Sequence, residues 1–219
     1  MRIFPSGPLA TNTYVFACLK TNEAVLIDAS LGSFDLVFHY LKQQDFKLKK
    51  ILLTHSHWDH IADVAKFKGE YQVPVYVHAL DAPNLQNPGA DKIPFFCPII
   101  GIKPDAFIEE GNEVICGELS LKVLHTPGHS PGCVCFYEAS EQVLFSGDTL
   151  FKGAMGILSL PTSQPQLMQG SLQKLCQLPD QTKVYPGHGR ETTIHAESAW
   201  IKAQIPEQSE LCKRSISKI

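Results

Sequence analysis

Three histidines and one aspartate lie within six consecutive residues, in the order His55-Ser-His57-Trp-Asp59-His60. Imidazole and carboxylate side chains grouped in this way are ligands for zinc, iron, manganese or nickel. In an extended chain that leaves a strand, His55 and His57 point the same way, and the turn into a following helix redirects Asp59 and His60. The spacing therefore predicts two pairs of metal ligands that face neighbouring points.

Three more residues of the same types follow further along the chain, each just beyond a β-like run: His129 in HTPGHSPG, Asp148 in SGDT and His188 in YPGHG. Two of them follow a Pro-Gly turn, which lets the backbone approach a site closely. Each one alone is typical of a turn or capping residue. Together with the first motif, they complete two sites of three protein ligands each, joined by a bridging carboxylate.

The elements that must position these residues are mostly short strands. Residue pattern predicts strands at 13–18, 23–28, 50–54, 73–78, 106–109, 113–116, 119–124, 133–138, 142–145 and 183–185. Helical spacing predicts helices over 33–42, with Ser33 as the N-cap, from the HSHWDH motif to about Lys68, over 164–178 and over 193–202. The polar tail, EQSELCKRSISKI, is expected to fray.

Two β-rich halves, each with helices, predict an α/β (α+β) fold class. We expect a four-layer αββα sandwich, in one domain over residues 1–219, because the order of elements does not alternate as in a simple βαβ design. Four strand ends run directly into the polar loops that carry the seven residues. Functional residues tend to gather in such loops.

The segment 81–104 is different, because it holds five prolines and two glycines and has no clear periodicity. A loop of this length inside a compact domain is usually functional, for example as a flap over a site. A packed irregular excursion is the alternative, and the sequence does not separate the two.

The amino-acid composition indicates which kinds of partner the protein binds and in which cellular compartment it lies. The 219 residues are 44% hydrophobic and 19% charged, with a net charge of −3 and no block of Lys or Arg, so no nucleic-acid partner is predicted. The N-terminus does not resemble a signal peptide, and no apolar stretch approaches the ~20 residues that span a bilayer. Seven scattered cysteines without a C-x-x-C pair favour reduced thiols, and we expect a cytoplasmic protein without a membrane partner.

The HSHWDH motif, followed in order by His129, Asp148 and His188, resembles the full ligand series of the metallo-β-lactamase superfamily. Within it the chain is most similar to glyoxalase II (hydroxyacylglutathione hydrolase), in the short form that lacks the appended helical domain. The resemblance spans nearly the whole chain. It implies that one metal is bound by His55, His57 and His129, that the other is bound by Asp59, His60 and His188, and that Asp148 bridges the two.

The resemblance also implies a reaction. Two divalent ions, zinc above all with iron or manganese as alternatives, would lower the pKa of a shared water towards neutrality. The resulting bridging hydroxide would attack a metal-polarised acyl carbonyl, with Asp59 and Asp148 as the candidate catalytic residues. A small acyl thioester such as S-lactoylglutathione is the expected substrate, because a thiolate leaves without a general acid.

Other members of the superfamily can be weighed by residue type. Zinc β-lactamases commonly have cysteine where Asp148 stands, and flavodiiron proteins have glutamate at the position of His57, which disfavours both. The nucleases of the superfamily add exosites or domains for which this chain has no room. Persulfide dioxygenases keep much of the motif with a single iron, and lactone or ester hydrolases would use the same centre, so these alternatives stay open.

The sequence departs from its nearest relatives after SGDTLF. Short glyoxalase-like enzymes usually continue with Gly-Arg-x-Asp, whereas this chain has Ile157 and Ser159 at the Arg and Asp positions. Persulfide dioxygenases share that Arg-x-Asp, so the change weakens both substrate assignments. A changed acyl substrate, or a metal-binding scaffold that has lost its substrate loop, would account for it.

Four histidines stand outside the series of seven candidate ligands. We interpret His39 and His78 as structural, His195 as a surface or capping residue, and His125 as either structural or a residue that orients a metal ligand.

Overall fold

The computed structural model describes residues 1–203. The predicted frayed tail and Cys212 lie outside these residues. The six cysteines within them are all free thiols.

The first half of the chain builds a six-stranded sheet in the order β1-β2-β3-β4-β5-β6. The strands β1 to β3 are antiparallel, and β3 to β6 run parallel to one another. Their bounds are β1 Arg2–Ser6, β2 Thr11–Cys18, β3 Glu23–Ile27, β4 Lys47–Leu52, β5 Val75–His78 and β6 Ala106–Ile108. Four helices connect them: α1 Ser33–Gln44, α2 Trp58–Ile61, α3 Val64–Tyr71 and α4 Ala82–Gln86.

The second half builds another six-stranded sheet in the order β14-β13-β10-β9-β8-β7. Its strands are β7 Glu113–Cys116, β8 Leu119–His125, β9 Val134–Glu138, β10 Val143–Gly147, β13 Lys183–Pro186 and β14 Thr192–Thr193. The strands β7 to β10 form an antiparallel meander, and β13 joins β10 in parallel. The remaining elements are a ribbon of β11 Leu150–Phe151 and β12 Ala154–Met155, and the helices α5 Pro165–Leu175 and α6 Ile194–Ala203.

Three apolar clusters separate four layers. In the cluster between the two sheets, Phe16 and Ile27 of the first sheet join Phe136 and Phe145 of the second. A second cluster packs α1 and α3 against the outer face of the first sheet, and a third packs α5 and α6 against the outer face of the second. The four-layer αββα sandwich and the α/β class are therefore confirmed.

Two details of the predicted helices are wrong. Ser33 is not the N-cap of α1, because Gly32 occupies that position in a left-handed conformation. Asp63 supplies the missing cap instead, since its Oδ2 accepts a hydrogen bond from Phe34 N at 3.1 Å. The helix after the HSHWDH motif is not continuous to Lys68; it breaks into α2 and α3 where Asp63 N donates to Ala29 O at 3.0 Å.

The segment 81–104 combines the two predicted alternatives. It begins with the short helix α4, and Ile99 and Ile102 pack against the core, as a packed excursion would. Its middle part lies near the metal-ligand candidates, where the Phe96 ring meets the Trp58 ring edge-on with 5.3 Å between centroids. In residues 1–203, no helix combines the length and the apolar character needed to cross a bilayer.

Candidate metal centre

The predicted ligands of the first motif lie at the carboxyl end of β4. His55 lies three positions beyond the end of that strand, and His57 is the extended residue from which α2 begins. Asp59 and His60 then fall in the first turn of α2, which turns them away from the direction of the extended pair. The predicted change of direction within the motif is therefore present.

The other three residues lie at the same edge of the sandwich. His129 follows β8, Asp148 follows β10 and His188 follows β13, and these three strands run in the same direction in the second sheet. Backbone hydrogen bonds join the two sheets at this edge, from Val134 N to Thr54 O at 2.8 Å and from Asn12 N to Gly187 O at 2.7 Å. The two sheets therefore bring residues from distant parts of the chain to one place.

All seven predicted site residues converge. Their ligand atoms form three groups, each with its members within 4.8 Å of one another: His55 with His57 and His129, His55 with His60 and Asp148, and Asp59 with His60 and His188. The first and third groups match the two predicted triads. The second places Asp148 between them.

The buried atoms of this cluster test whether metal ions fit. Among the described residues, five buried ligand atoms have no hydrogen-bond partner: Nε2 of His55, His57, His60 and His129, and Oδ1 of Asp148. Leaving a buried polar atom unpaired costs about 1–3 kcal/mol. Five such atoms facing one another are explained by divalent cations, for which nitrogen and carboxylate oxygen are suitable donors.

Neighbouring groups hold the opposite nitrogen of four of the five imidazoles. His60 Nδ1 lies 2.9 Å from Asp28 Oδ2, and His55 Nδ1 lies 3.1 Å from Thr54 Oγ1. Backbone carbonyls complete the set, with Ile157 O 2.8 Å from His129 Nδ1 and Leu9 O 3.1 Å from His188 Nδ1. Partners of this kind fix the ring orientation of metal-binding histidines, and here they leave Nε2 facing the centre.

The two aspartates occupy different positions in the cluster. Asp148 Oδ1 lies 3.4 Å from His60 Nε2, and its Oδ2 lies 3.4 Å from His129 Nε2, so its carboxylate spans both triads. Asp59 Oδ2 accepts a hydrogen bond from Thr11 Oγ1 at 2.7 Å and lies 3.3 Å from His188 Nε2. The geometry is what a bridging carboxylate and a terminal carboxylate ligand require.

The electrostatics of the first triad favour metal-binding forms. Burial, reinforced by neighbouring histidines, lowers the pKa of His57 to about 3 and the pKa of His55 well below its usual value. Both imidazoles are therefore neutral near pH 7, as metal ligation requires.

In the second triad the acids and the bases perturb one another. Burial would raise the pKa of Asp59, but His60, His188 and Thr11 outweigh it and lower that pKa to about 2. Burial opposes protonation of His188 as well, yet hydrogen bonds to Asp148 and Asp59 raise its pKa to about 9. Burial likewise opposes protonation of His60, but the carboxylates of Asp59, Asp148 and Asp28 raise its pKa well above its usual value. The metal-free triad therefore holds protons on its histidines, which a metal ion must displace.

Two glycines let backbone pass directly beside these ligands. A Cβ at Gly187 would overlap Asp148 Oδ1 and would stand 2.7 Å from His60 Cε1. A Cβ at Gly156 would overlap the Asp148 carbonyl and would stand 2.8 Å from His129 Nδ1. These positions require glycine because of close approach, as the Pro-Gly turn before His188 suggested.

Sequence reasoning missed two aspartates that support the centre. Asp28 follows β3 with a φ of 58°, and its carboxylate accepts hydrogen bonds from Thr54 N and Thr54 Oγ1, both at 2.8 Å, besides facing His60. Its position at the end of a buried strand, like that of the predicted ligands, was the available signal.

Asp81 joins the two loops that carry the first triad. Its carboxylate accepts from Ser56 N at 2.8 Å, between His55 and His57, and from Gly132 N at 2.7 Å and Ser130 Oγ at 2.9 Å, just beyond His129. Burial raises the pKa of this carboxyl, partly offset by these hydrogen bonds. No local pattern in the sequence indicates this role.

The four histidines that are not candidate ligands lie outside the centre. His78 and His125 stack on each other with ring centroids 4.2 Å apart, and His125 Nε2 is 3.0 Å from Pro131 O, so His125 does not orient a ligand through a hydrogen bond. His195 faces Asp180 at the surface, with its side chain 75% exposed, and His39 is exposed on α1. The structural interpretation of His39 and His78 agrees with these positions.

A cavity of about 400 Å³ opens onto the centre. Five of the seven converging residues line it: His57, Asp59, His129, Asp148 and His188. Six apolar residues form the rest of its wall: Leu9, Trp58, Ile93, Phe151, Ile157 and Leu160. Its volume lies in the range of small-molecule sites.

A family model described as the metallo-beta-lactamase superfamily matches residues 6–188, which include all seven residues. The chain is 38% identical to a protein of Aquifex aeolicus, over 91% of this chain and 94% of that protein. It is 33% identical to a probable metallo-hydrolase of Bacillus subtilis, over 90% of this chain and 93% of that protein. It is also 33% identical to a hydroxyacylglutathione hydrolase of Francisella philomiragia, over 80% of this chain and 62% of that protein.

Two solved structures share the fold at 36% sequence identity. One is the crystal structure of BLEG-1 B3 metallo-beta-lactamase, with a TM-score of 0.84 over 90% of this chain and 96% of that chain. The other is the crystal structure of TTHA1623 in a di-iron-bound form, with a TM-score of 0.76 over 90% of this chain and 97% of that chain.

Proposed function

The chain belongs to the metallo-β-lactamase superfamily, and we propose that it is a dinuclear metal-dependent hydrolase that cleaves a small acyl thioester. The observation that carries the proposal is the convergence of seven ligand residues around buried donor atoms without protein partners, at the base of an open cavity. The relative described as a hydroxyacylglutathione hydrolase supports a thioester as the substrate class.

We assign His55, His57 and His129 to one metal and Asp59, His60 and His188 to the other, with Asp148 between them. Bound divalent metals would supply an ionised water near neutral pH and would polarise the acyl carbonyl. Zinc suits these ligands, and iron is the leading alternative because the similar protein TTHA1623 has a di-iron-bound form.

Two metals account for the donor set better than one iron does. If His55, His57 and His129 held a single ion, the second group of Asp59, His60 and His188 would keep a buried His60 Nε2 without a hydrogen-bond partner. This counts against the mononuclear persulfide dioxygenase alternative.

Asp59 is placed to orient the attacking water besides binding metal. The hydrogen bond from Thr11 fixes Oδ2, and the residue lines the cavity, so the carboxylate can accept a hydrogen bond from a water there.

The cavity favours a leaving group that departs without a proton. Apart from the assigned metal ligands, the described residues that line it are all apolar, so none can act as a general acid. A thiol has a pKa near ~8.5 and leaves as the thiolate, whereas an amine or alkoxide needs protonation. Thioesters therefore fit this site better than amides or simple esters.

The test measures metal content and hydrolysis on one sample. The purified chain, loaded with zinc, iron or manganese, should bind two metals and release free thiol from S-lactoylglutathione or another small acyl thioester, detected with a thiol reagent. Absence of thiol release with all three metals would overturn the proposal. A β-lactam belongs in the same assay because of the similarity to BLEG-1, and faster turnover of the β-lactam would also overturn the thioester assignment.

A further inference from the structure

We infer that the cavity selects thioesters with an apolar acyl chain and an uncharged thiol part, in preference to anionic glutathione conjugates. This inference rests on the proposed function and specifies its substrate class. It depends on where the apolar and charged residues lie around the metal centre.

The wall beside the ligands is continuous and apolar. Trp58 follows His57 directly and is almost fully buried, and Phe151 meets the His188 ring edge-on with 6.0 Å between centroids. Ile93 and Leu160 come from two different loops and complete the wall. An acyl chain whose carbonyl lies at the metal centre would therefore extend along hydrocarbon.

Apolar side chains continue out to the cavity mouth. Leu9 is 51% exposed and Ile157 is 61% exposed, and both line the cavity. Phe96 is 75% exposed and packs edge-on against Trp58. Exposed apolar residues that are grouped around a pocket are typical of a ligand-binding surface.

Outside the assigned metal ligands, the described residues of the cavity wall offer no cationic side chain to the carboxylates of glutathione. None of the residues that line it in the described part of the chain is Lys or Arg. Recognition of a carboxylate relies on such cations, and desolvating one without a partner is costly. An anionic thiol part therefore gains nothing from this wall.

The volume is sufficient for an acyl chain of several carbons. The cavity of about 400 Å³ is roughly 13 times the ~30 Å³ that one water occupies in the liquid, which is also close to the size of a methylene. Each methylene that the wall buries should raise affinity by up to about fourfold.

Ile157 is the position that we assign as the specificity determinant. The backbone carbonyl of Ile157 lies 2.8 Å from His129 Nδ1, so a contact with a candidate ligand fixes the backbone at this position. Ile157 also lines the cavity. Changing only the side chain therefore alters the wall and leaves the ligand-orienting carbonyl in place. Ile115, which is 49% exposed on the edge strand β7, offers a matched control.

The first experiment measures binding to the metal-loaded protein by calorimetry, with two thioethers that cannot be hydrolysed. S-hexyl-N-acetylcysteamine should bind at least tenfold more tightly than S-hexylglutathione, and shortening hexyl to ethyl should weaken binding by tenfold or more. Tighter binding of S-hexylglutathione, or no dependence on chain length, would overturn the inference.

The second experiment measures hydrolysis by the metal-loaded protein. N-acetylcysteamine thioesters from acetyl to hexanoyl should show kcat/KM that rises with chain length, and Ile157→Arg should reverse the preference towards glutathione thioesters, while Ile115→Arg should not. Equal preference in wild type and Ile157→Arg, at equal metal content, would contradict the role of Ile157. If the binding preference is observed but no thioester is cleaved, the proposed function is wrong, whereas the inferred preference of the cavity for apolar, uncharged ligands is supported.

Discussion

His60 Nδ1 lies 2.9 Å from Asp28 Oδ2, and both side chains are buried, at 0% and 2% exposure. The same carboxylate accepts two hydrogen bonds from Thr54, the residue before His55. Asp28 therefore holds His60 and the start of the HSHWDH motif in one arrangement, although it is not itself a member of the metal-ligand groups.

Asp28→Ala should weaken metal binding about 10–100-fold, because His60 would lose the partner that fixes its ring. Competition with a chromophoric chelator measures this affinity. Asp35→Ala removes an exposed carboxylate on α1 and should leave the affinity unchanged. Wild-type affinity in Asp28→Ala would show that His60 is not oriented through Asp28.

Asp81→Asn should destabilise the metal-free protein by about 1–3 kcal/mol, because an amide cannot accept hydrogen bonds from Ser56 N and Gly132 N with both of its ends. Urea unfolding measures this change. Asp180→Asn alters a carboxylate with a 64% exposed side chain and should change the free energy of unfolding by less than about 0.5 kcal/mol. Equal stability of wild type and Asp81→Asn would remove Asp81 as the link between the two ligand loops.

Gly187→Ala should lower metal affinity at least about tenfold, because the added methyl group overlaps Asp148 Oδ1 and presses on His60. Gly170→Ala is the matched change on α5, where a Cβ meets nothing within 4 Å. That control should keep full affinity and gain up to about 1 kcal/mol in helix stability. Normal metal binding by Gly187→Ala would mean that the ligands are not packed against this backbone.

Acid should destabilise the fold through His78, whose pKa is lowered to about 4 by burial and by the adjacent His125. The unfolded chain takes up a proton near pH 6.5, whereas folded His78 stays neutral until about pH 4, so stability is lost as pH falls through this window. Urea unfolding of metal-free wild type and His78→Gln from pH 7 to pH 4 measures the effect. The wild type should lose more stability than the variant, and parallel curves would contradict the shift.

The sequence predicts the convergence of the seven residues well because the information that positions them is local. The order of donors in His55 to His60 depends on one strand end and one helix start, and both form as expected. His129, Asp148 and His188 are recognisable because each follows a strand, and parallel strand ends in a sheet share an edge.

What the sequence does not predict depends on contacts between distant residues. Asp81 lies 49 and 51 positions from Ser130 and Gly132, and no periodicity connects them. The cap of α1 comes from Asp63, 29 positions from Phe34, rather than from the adjacent Ser33. Short elements such as β1, α4 and β14 were missed for the same reason, since tertiary pairing forms them rather than local propensity.

The most direct test of the account is the metal content and hydrolysis rate of Asp148→Ala beside wild type, loaded and dialysed together. Asp148 stands between the two triads, so wild type should hold two metals per chain, and the variant should lose at least one of them with about a hundredfold or greater loss of rate. Two metals and full rate in Asp148→Ala would contradict the paired centre.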